Sequence, residues 1–123
     1  ESLAPDAAKA RALTASGDHT IRSSVFDVLR EYDWPSAYRL RTLNNRMTDK
    51  YANDLEALRS DKRTQIARFE QGLASGDYDI APIIVGEAVD LINDLPSAAA
   101  IVAQTVLEAT ARLCDPVNFK VGG

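Results

Sequence analysis

The positions of helix-ending sequences constrain the fold of this chain more than any other feature. The sequence Ser-Gly-Asp occurs at residues 16–18 and again at 75–77, and a glycine there can take the left-handed conformation that closes a helix. Pro5 and the Pro96-Ser97 pair are typical of helix N-termini. The sequence therefore predicts a series of helices, over residues 5–15, 43–51 and 54–73, from about residue 86, and after residue 97.

Two of these helices have a clear apolar face. In the segment 54–73, apolar residues recur at helical spacing, and Asn53 and Glu56 stand three apart, as the partners of a capping box do. The apolar positions there are Leu55, Leu58, Ile66, Phe69 and Leu73. In the last helix Ser97 is the predicted N-cap, and the apolar stripe consists of Val102, Val106, Ala109 and Leu113.

One strand is predicted between the helices. Residues 20–28 are rich in β-branched and aromatic side chains, which favours a strand. Pro35 then interrupts regular structure, and the aromatic residues Tyr32, Trp34 and Tyr38 indicate a packed loop. The fold class is therefore mainly α with one or two short strands. A lone strand leaves its edges unpaired, so we expect its partner to lie outside this chain.

Composition excludes several classes of protein. With 46% hydrophobic and 26% charged residues the chain is typical of a globular domain, and a net charge of −4 without a basic cluster disfavours nucleic-acid binding. Its apolar runs are shorter than the ~20 residues of a membrane span. One cysteine and one histidine are too few for an internal disulfide or a zinc site. These features favour the cytoplasm. Because the chain starts at Glu1 rather than Met, we expect it to be a piece of a larger protein.

Four parts of the sequence could contribute to a site. His19 follows a helix end and is better explained as a surface residue than as a general base, and Cys114 ends a helix, which works against a reactive thiolate. Residues 39–51 combine four cations with two asparagines, so that Arg41, Asn45 and Arg46 could line a substrate cavity, although a solvated helix face is the simpler interpretation.

Gly86 and Glu87 form the fourth candidate. Backbone N–H groups at a helix start can bind an anion, and a glycine lets the ligand approach closely. The alternative is a tight packing seam between two buried elements. No phosphate-binding loop, dinucleotide fingerprint, serine-hydrolase elbow or metal motif is found in the sequence.

Three segments resemble the nitronate monooxygenase family, formerly called 2-nitropropane dioxygenases. "KARALTASGDHTIRSSVFDVLREYDWP" is similar to the family's "KARL…ASGDDTVRTRVFDI…DWP", "RTLNNRMTDKY" to "RALRNRFTDRW", and "VGEAVDLINDLPSAAAIV" to "AGEAVGLIxDxPPAAEIV". The segments keep the family's order and cover residues 1–113. The resemblance implies that the parent enzyme is a TIM barrel that holds FMN and oxidises alkyl nitronates with O₂. Relatives include NAD(P)H:quinone and enoyl reductases.

The resemblance also assigns a place to each part of the chain. Residues 1–33 would follow the last barrel strand, 34–113 would form a helical region over the substrate cavity, and 114–123 a tail. The family's catalytic histidine and main FMN loops precede this segment, so no catalytic residue is expected here and Gly86 and Glu87 are the cofactor-binding candidates. The expected partners are the rest of the barrel, or a chain that carries it, and a small-molecule substrate. A homo-oligomer is left open. The alternative is an autonomous helical module that binds another protein.

Overall fold

A computed structural model describes residues 3–35 and 37–114 of the chain. Within them lie six α-helices: α1 (Asp6–Thr14), α2 (Val25–Leu29), α3 (Arg46–Tyr51), α4 (Leu55–Ser60), α5 (Lys62–Ser75) and α6 (Ala98–Cys114). Two strands, β1 (Thr20–Ser23) and β2 (Leu40–Leu43), and two 3-10 helices (Gly17–His19 and Glu87–Leu91) complete the secondary structure. The expectation of a mainly helical fold with one or two short strands is confirmed.

The described residues fall into two compact units, those between residues 4 and 93 and, separately, residue 3 with residues 94–114. In the first unit, helices α2 to α5 enclose the hydrophobic core, whose members include Phe26, Met47, Tyr51, Leu58 and Phe69. The rings of Phe26 and Phe69 lie 6.1 Å apart in a tilted arrangement. The unit thus has the buried apolar cluster that an independently stable fold requires.

A strand partner is present within the chain, so the expectation of an outside partner is wrong. Strand β2 pairs antiparallel with β1, with Thr20 opposite Leu43 and Ser23 opposite Leu40. On the other edge of β2 the backbone of residues 83–85 adds a short ladder, because Leu43 N donates to Ile83 O (2.9 Å) and Val85 N donates to Arg41 O (3.3 Å). The pairing of β1 with β2 also crosses the predicted boundary at residues 33–34.

Several predicted boundaries differ from the structure. The strand predicted over residues 20–28 ends at Ser23, since the residues after it form helix α2 and bury Val25 and Phe26 in the core. The helix predicted over 43–51 begins at Arg46, because the residues before it form β2 and a cap. The helix predicted over 54–73 is two helices that meet at Asp61.

Two predictions about helix ends also differ from the structure. The N-cap of α4 is Asp54, which accepts a hydrogen bond from Ala57 N (3.0 Å), and not Asn53. Gly76 closes α5 in the left-handed conformation with φ of 69°, as predicted, but Gly17 has no positive φ and instead begins a 3-10 helix. The prediction of a packed aromatic loop is also wrong, since Tyr32, Trp34 and Tyr38 are exposed.

The second unit consists, among the described residues, of helix α6 and the chain just before it. Ser97 Oγ accepts a hydrogen bond from Ala100 N (3.2 Å), as expected of an N-cap. No side chain of α6 is buried, and its predicted apolar stripe at Val102, Val106 and Leu113 is exposed. Cys114, the last described residue, is exposed too, and the rest of the predicted tail lies outside the described residues.

Candidate functional site

Three segments that are far apart in the sequence meet at one place in the first unit. They are the 3-10 helix that precedes β1, strand β2, and the start of the second 3-10 helix. We call the four residues Gly17, Thr20, Arg41 and Glu87 the junction. A Cβ atom added to Gly17 would lie 2.8 Å from the carbonyl oxygen of Glu87, so the two backbones are in contact. Glycine is therefore required at residue 17 by close approach and not by its dihedral angles.

Arg41 holds the junction together through its guanidinium. Its Nη2 lies 2.5 Å from Glu87 Oε1, and its Nη1 donates to Thr20 Oγ1 at 2.9 Å. Thr20 Oγ1 in turn donates to Gly17 O at 2.7 Å. Only 23% of the Arg41 side chain is exposed, against 72% for Glu87. A partly desolvated arginine that bonds to both neighbours fixes their relative position.

The structure thus brings together two predicted site residues, Arg41 and Glu87, but their opposite charges form an ion pair with each other. Glu87 is the first residue of a 3-10 helix of five residues, and Gly86 is the N-cap of that helix. The space around Gly86 is open, because the nearest atom to a Cβ added there is Ala88 N at 3.9 Å. A phosphate there would face a carboxylate and an arginine whose charge is already neutralised. These residues do not fit the phosphate of FMN, and another contact between Gly86 and a flavin stays a prediction.

Asn45, a predicted cavity residue, is buried at the N-terminus of α3. Its Oδ1 accepts from Met47 N (3.0 Å) and Thr48 N (3.1 Å), and its Nδ2 donates to Ala81 O (3.0 Å) and Tyr78 O (3.4 Å). An asparagine amide offers two donor hydrogens and two lone pairs, and all of them are used here. Asn45 therefore caps α3 and fastens the segment 78–81 to it.

Arg46, the third predicted cavity residue, lies at the surface. Its guanidinium is 3.5 Å from Asp79 Oδ2, while Arg11 Nη2 binds Asp79 Oδ1 at 2.8 Å. The hydrogen bond and charge of Arg11, together with the charge of Arg46, hold the pKa of Asp79 below its ordinary value of 3.8. With 73% of its side chain exposed, Arg46 can reach a solute that approaches this surface.

An open cleft of about 250 Å³ lies between the end of α1 and the segment 78–83. Among its lining residues are Arg11, His19, Asn44, Asn45 and Tyr78. The imidazole Nδ1 of His19 accepts a hydrogen bond from Ser16 N at 3.3 Å, which leaves Nε2 as the donor of the neutral ring. Arg41, Arg46, Gly86 and Glu87 are not among the residues that line this cleft.

Arg11 and Tyr78 were not predicted as site residues, and Asn44 was noted only as part of residues 39–51, because nothing in the local sequence marks these three residues as neighbours. The cleft can bind and orient a small polar molecule through an imidazole, an amide and a phenol. In the described part of the chain no group of three or more His, Cys, Asp or Glu side chains could hold a metal ion. None of the described helices has the length and apolar character of a membrane-spanning segment.

The fold and the junction define a small, mainly helical unit around a two-stranded antiparallel sheet, with a carboxylate–arginine pair where three segments meet. Comparison of the chain with models of protein families, with curated proteins and with solved structures finds no match.

Proposed function

We propose that this chain is the C-terminal portion of an FMN-dependent, nitronate monooxygenase-like oxidoreductase, which oxidises alkyl nitronates with O₂. The observation that carries the proposal is the junction. Each of the three segments that resemble the family contributes to it, Gly17 and Thr20 from the first, Arg41 from the second and Glu87 from the third. The three segments occur in the same order as in the family, and they contact one another in the structure. Both properties are expected if they belong to one structural unit of such an enzyme.

In the parent enzyme this unit would cover the C-terminal mouth of a TIM barrel, where the active sites of that fold lie. The flavin would supply the redox chemistry when bound. The residues of this chain would hold the cover in shape, as Arg41 and Asn45 do through their hydrogen bonds, and would exclude water from the substrate cavity. The exposed guanidinium of Arg46 would attract the anionic nitronate.

The test is to purify the full-length product of the gene that encodes this chain. We expect a yellow protein with stoichiometric FMN, a Gly-Gly-His sequence in the preceding barrel, and O₂ consumption that depends on an alkyl nitronate. The 123-residue chain alone is expected to bind no stoichiometric FMN and to be inactive. A full-length product without a flavin barrel would refute the proposal, and turnover of a quinone or an enoyl thioester with NAD(P)H instead of a nitronate would favour the related reductases.

The role of Arg46 can be separated from general charge effects. In the full-length enzyme Arg46→Gln should raise KM for the nitronate at low salt by about two- to fivefold, the size of an exposed charge interaction, with little change in kcat. Arg63→Gln is the matched control, because Arg63 is exposed on α5 and makes no ion pair within the described residues. Equal effects of the two substitutions would exclude a specific role for Arg46.

A second candidate, an autonomous protein-interaction module, is favoured by one observation. Helix α6 exposes Ile101, Val102, Val106, Leu107 and Leu113, and an apolar helix face of this kind is expected to contact another polypeptide. Under the first proposal that polypeptide is the rest of the enzyme. An immediate start codon before Glu1, with no gene for a barrel nearby, would favour the module.

A further inference from the structure

A second cleft, of about 260 Å³, lies between α2 and the loop that follows it, and we call it the aromatic cleft. Its lining includes Asp27, Tyr32, Trp34, Tyr38, Arg39 and Arg59. It shares no residue with the junction or with the cleft beside α1. An aromatic wall, a buried carboxylate and arginines therefore meet in a place to which the flavin function assigns no role.

Asp27 is the most unusual group of this cleft. The residue is only 4% exposed, and it forms no ion pair within residues 3–35 and 37–114. Oδ2 accepts one long hydrogen bond from Leu40 N (3.4 Å), and Oδ1 has no hydrogen-bond partner among the described residues. A buried carboxylate oxygen without a donor is costly, so a cationic donor that enters the cleft would be strongly favoured there.

The aromatic wall is built by the way α2 ends. Glu31 takes a left-handed φ of 57°, Glu31 N donates to Val28 O (3.2 Å) and Tyr32 N donates to Asp27 O (2.9 Å), which is the hydrogen-bond pattern of a Schellman cap. The chain thereby turns back on α2, and the rings of Tyr32 and Trp34 meet edge to face at 6.2 Å. Trp34 remains 56% exposed, so its ring is available to a ligand.

The two arginines of the cleft differ in their pairing. Arg59 is neutralised by Glu56, whose Oε1 lies 2.6 Å from its Nη1. Arg39 is exposed and has no ion pair in the described part of the chain. Its guanidinium is thus free to bind a carboxylate in the bidentate manner that arginine favours.

We infer that the aromatic cleft binds a zwitterionic amino acid with an aromatic or large apolar side chain. The ammonium group would donate to Asp27, the carboxylate would accept from Arg39, and the side chain would pack on Trp34 and Tyr38. The volume suits such a molecule, since it is below the ~300–1,000 Å³ of sites for drug-sized ligands. A phosphate ester would be repelled by Asp27 and by Asp33, which also lines the cleft, and a simple amine would leave Arg39 unpaired.

Trp34 makes the inference directly testable, because it is the single tryptophan of the chain and lies in the wall of the cleft. Its fluorescence is followed while the 123-residue chain is titrated with L-phenylalanine, with 2-phenylethylamine, which lacks the carboxylate, and with 3-phenylpropanoate, which lacks the ammonium group. We expect a saturable change with L-phenylalanine, and at least about tenfold weaker binding of each analogue, as the loss of a charged hydrogen bond predicts.

Two substitutions test which residue of the cleft binds each charged group of the ligand. Arg39→Gln should weaken L-phenylalanine binding about tenfold and leave 2-phenylethylamine binding unchanged, while Arg63→Gln on α5 serves as the control that changes neither. Asp27→Asn should abolish the preference for L-phenylalanine over 3-phenylpropanoate. Since Asp27 is buried, the circular dichroism spectrum of this variant is recorded first, and the result with Arg39→Gln decides the test if the variant does not fold.

Two outcomes would overturn the inference. One is the absence of a saturable fluorescence change with L-phenylalanine at about 10 mM, which excludes even millimolar affinity. The other is equal binding of all three ligands, since this would mean that only the apolar ring is recognised and that Asp27 and Arg39 take no part. Neither outcome depends on whether the parent enzyme contains a flavin.

Discussion

Asn44 and Asn45 are neighbours in the sequence. Among the described residues, the side chain of Asn45 forms hydrogen bonds to the backbone, whereas that of Asn44 forms none. Asn45→Ala removes the N-cap of α3 and leaves the buried carbonyl of Ala81 without its donor. We expect a loss of about 2–3 kcal/mol in the free energy of unfolding, measured by urea denaturation. Asn44→Ala should change it by no more than about 0.5 kcal/mol, because that side chain is exposed.

Similar losses for the two variants would show that the amide of Asn45 is not what holds the segment 78–81. The comparison also bears on the cavity hypothesis. If Asn45→Ala in the full-length enzyme lowers activity only in proportion to the folded fraction, the residue acts through the fold and does not touch the substrate.

Asp79 gives the chain a stability that depends on pH. Its pKa is lower in the folded state than the ordinary 3.8, chiefly because of the hydrogen bond and charge of Arg11. A group of this kind contributes fully above its unfolded-state pKa, and the contribution is lost as the pH falls through the folded-state value. The free energy of unfolding should therefore decrease on acidification below about pH 4.

Arg11→Gln isolates this contribution. The variant should show a shallower loss of stability below about pH 4 than the unchanged chain, and the difference should shrink in high salt because the pair is partly exposed. Arg63→Gln again serves as the control. A pH dependence that is the same with and without Arg11 would mean that other carboxylates determine the acid limb of the stability curve.

At the scale of elements, substitution of two glycines tests how closely the backbones of the junction segments pack. Gly17→Ala places a methyl group 2.8 Å from the backbone oxygen of Glu87, and it should cost about 1–3 kcal/mol because neither backbone can move freely. Gly86→Ala meets open space at a φ of −88°, which alanine adopts without strain. It should be neutral or slightly stabilising in the isolated chain, as judged by thermal unfolding.

The same pair distinguishes packing from cofactor contact. If Gly86→Ala leaves the stability of the isolated chain unchanged but weakens FMN retention in the full-length enzyme, the open space beside Gly86 is where the flavin approaches. If retention is unchanged too, the cofactor-binding role predicted for this residue is wrong.

The elements that sequence analysis predicted well are those whose signals are local. Gly76 closes α5 through its own dihedral angles, and the residues near 86 begin a short helix, as their spacing indicated. Strand β2 was missed, because residues 40–43 become a strand only through pairing with β1 on one edge and with residues 83–85 on the other. Two of the four junction residues, Arg41 and Glu87, were predicted site candidates, but Gly17 and Thr20 were not. Nothing local in the sequence shows that Arg41 pairs with Glu87.

Helix α2 is the reverse case. Its sequence, Val25–Leu29, has the β-branched and aromatic residues of a strand, yet Val25, Phe26 and Leu29 are buried by packing with α3, α4 and α5. Intrinsic propensity differs by only about 1 kcal/mol between strand and helix for such residues, and burial of a large apolar side chain contributes about 1.5–3 kcal/mol. Tertiary packing therefore decides the conformation of this segment.

At the scale of the whole molecule, we expect the exposed apolar face of α6 to determine whether the chain associates in solution. Most of the stability of a helix in a protein comes from packing of its apolar face, and none of the described side chains of α6 is buried. We expect the 123-residue chain to self-associate as its concentration rises, measured by light scattering coupled to size-exclusion chromatography. Association through an apolar face buries the side chains that this chain leaves in contact with water.

Val106→Glu should keep the chain monomeric, because it places a charge within the apolar stripe. Gln104→Glu is the matched control, because it adds the same charge at a position that is already polar. Gln104 lies about 160° around the helix axis from Val106, on the side of Glu108. A chain that associates equally with either substitution does not use α6 as its contact. If α6 instead packs on the barrel of the parent enzyme, the full-length protein should be monomeric in this assay. The Val106→Glu variant of the full-length protein should then be cleaved more readily by proteases near residue 94.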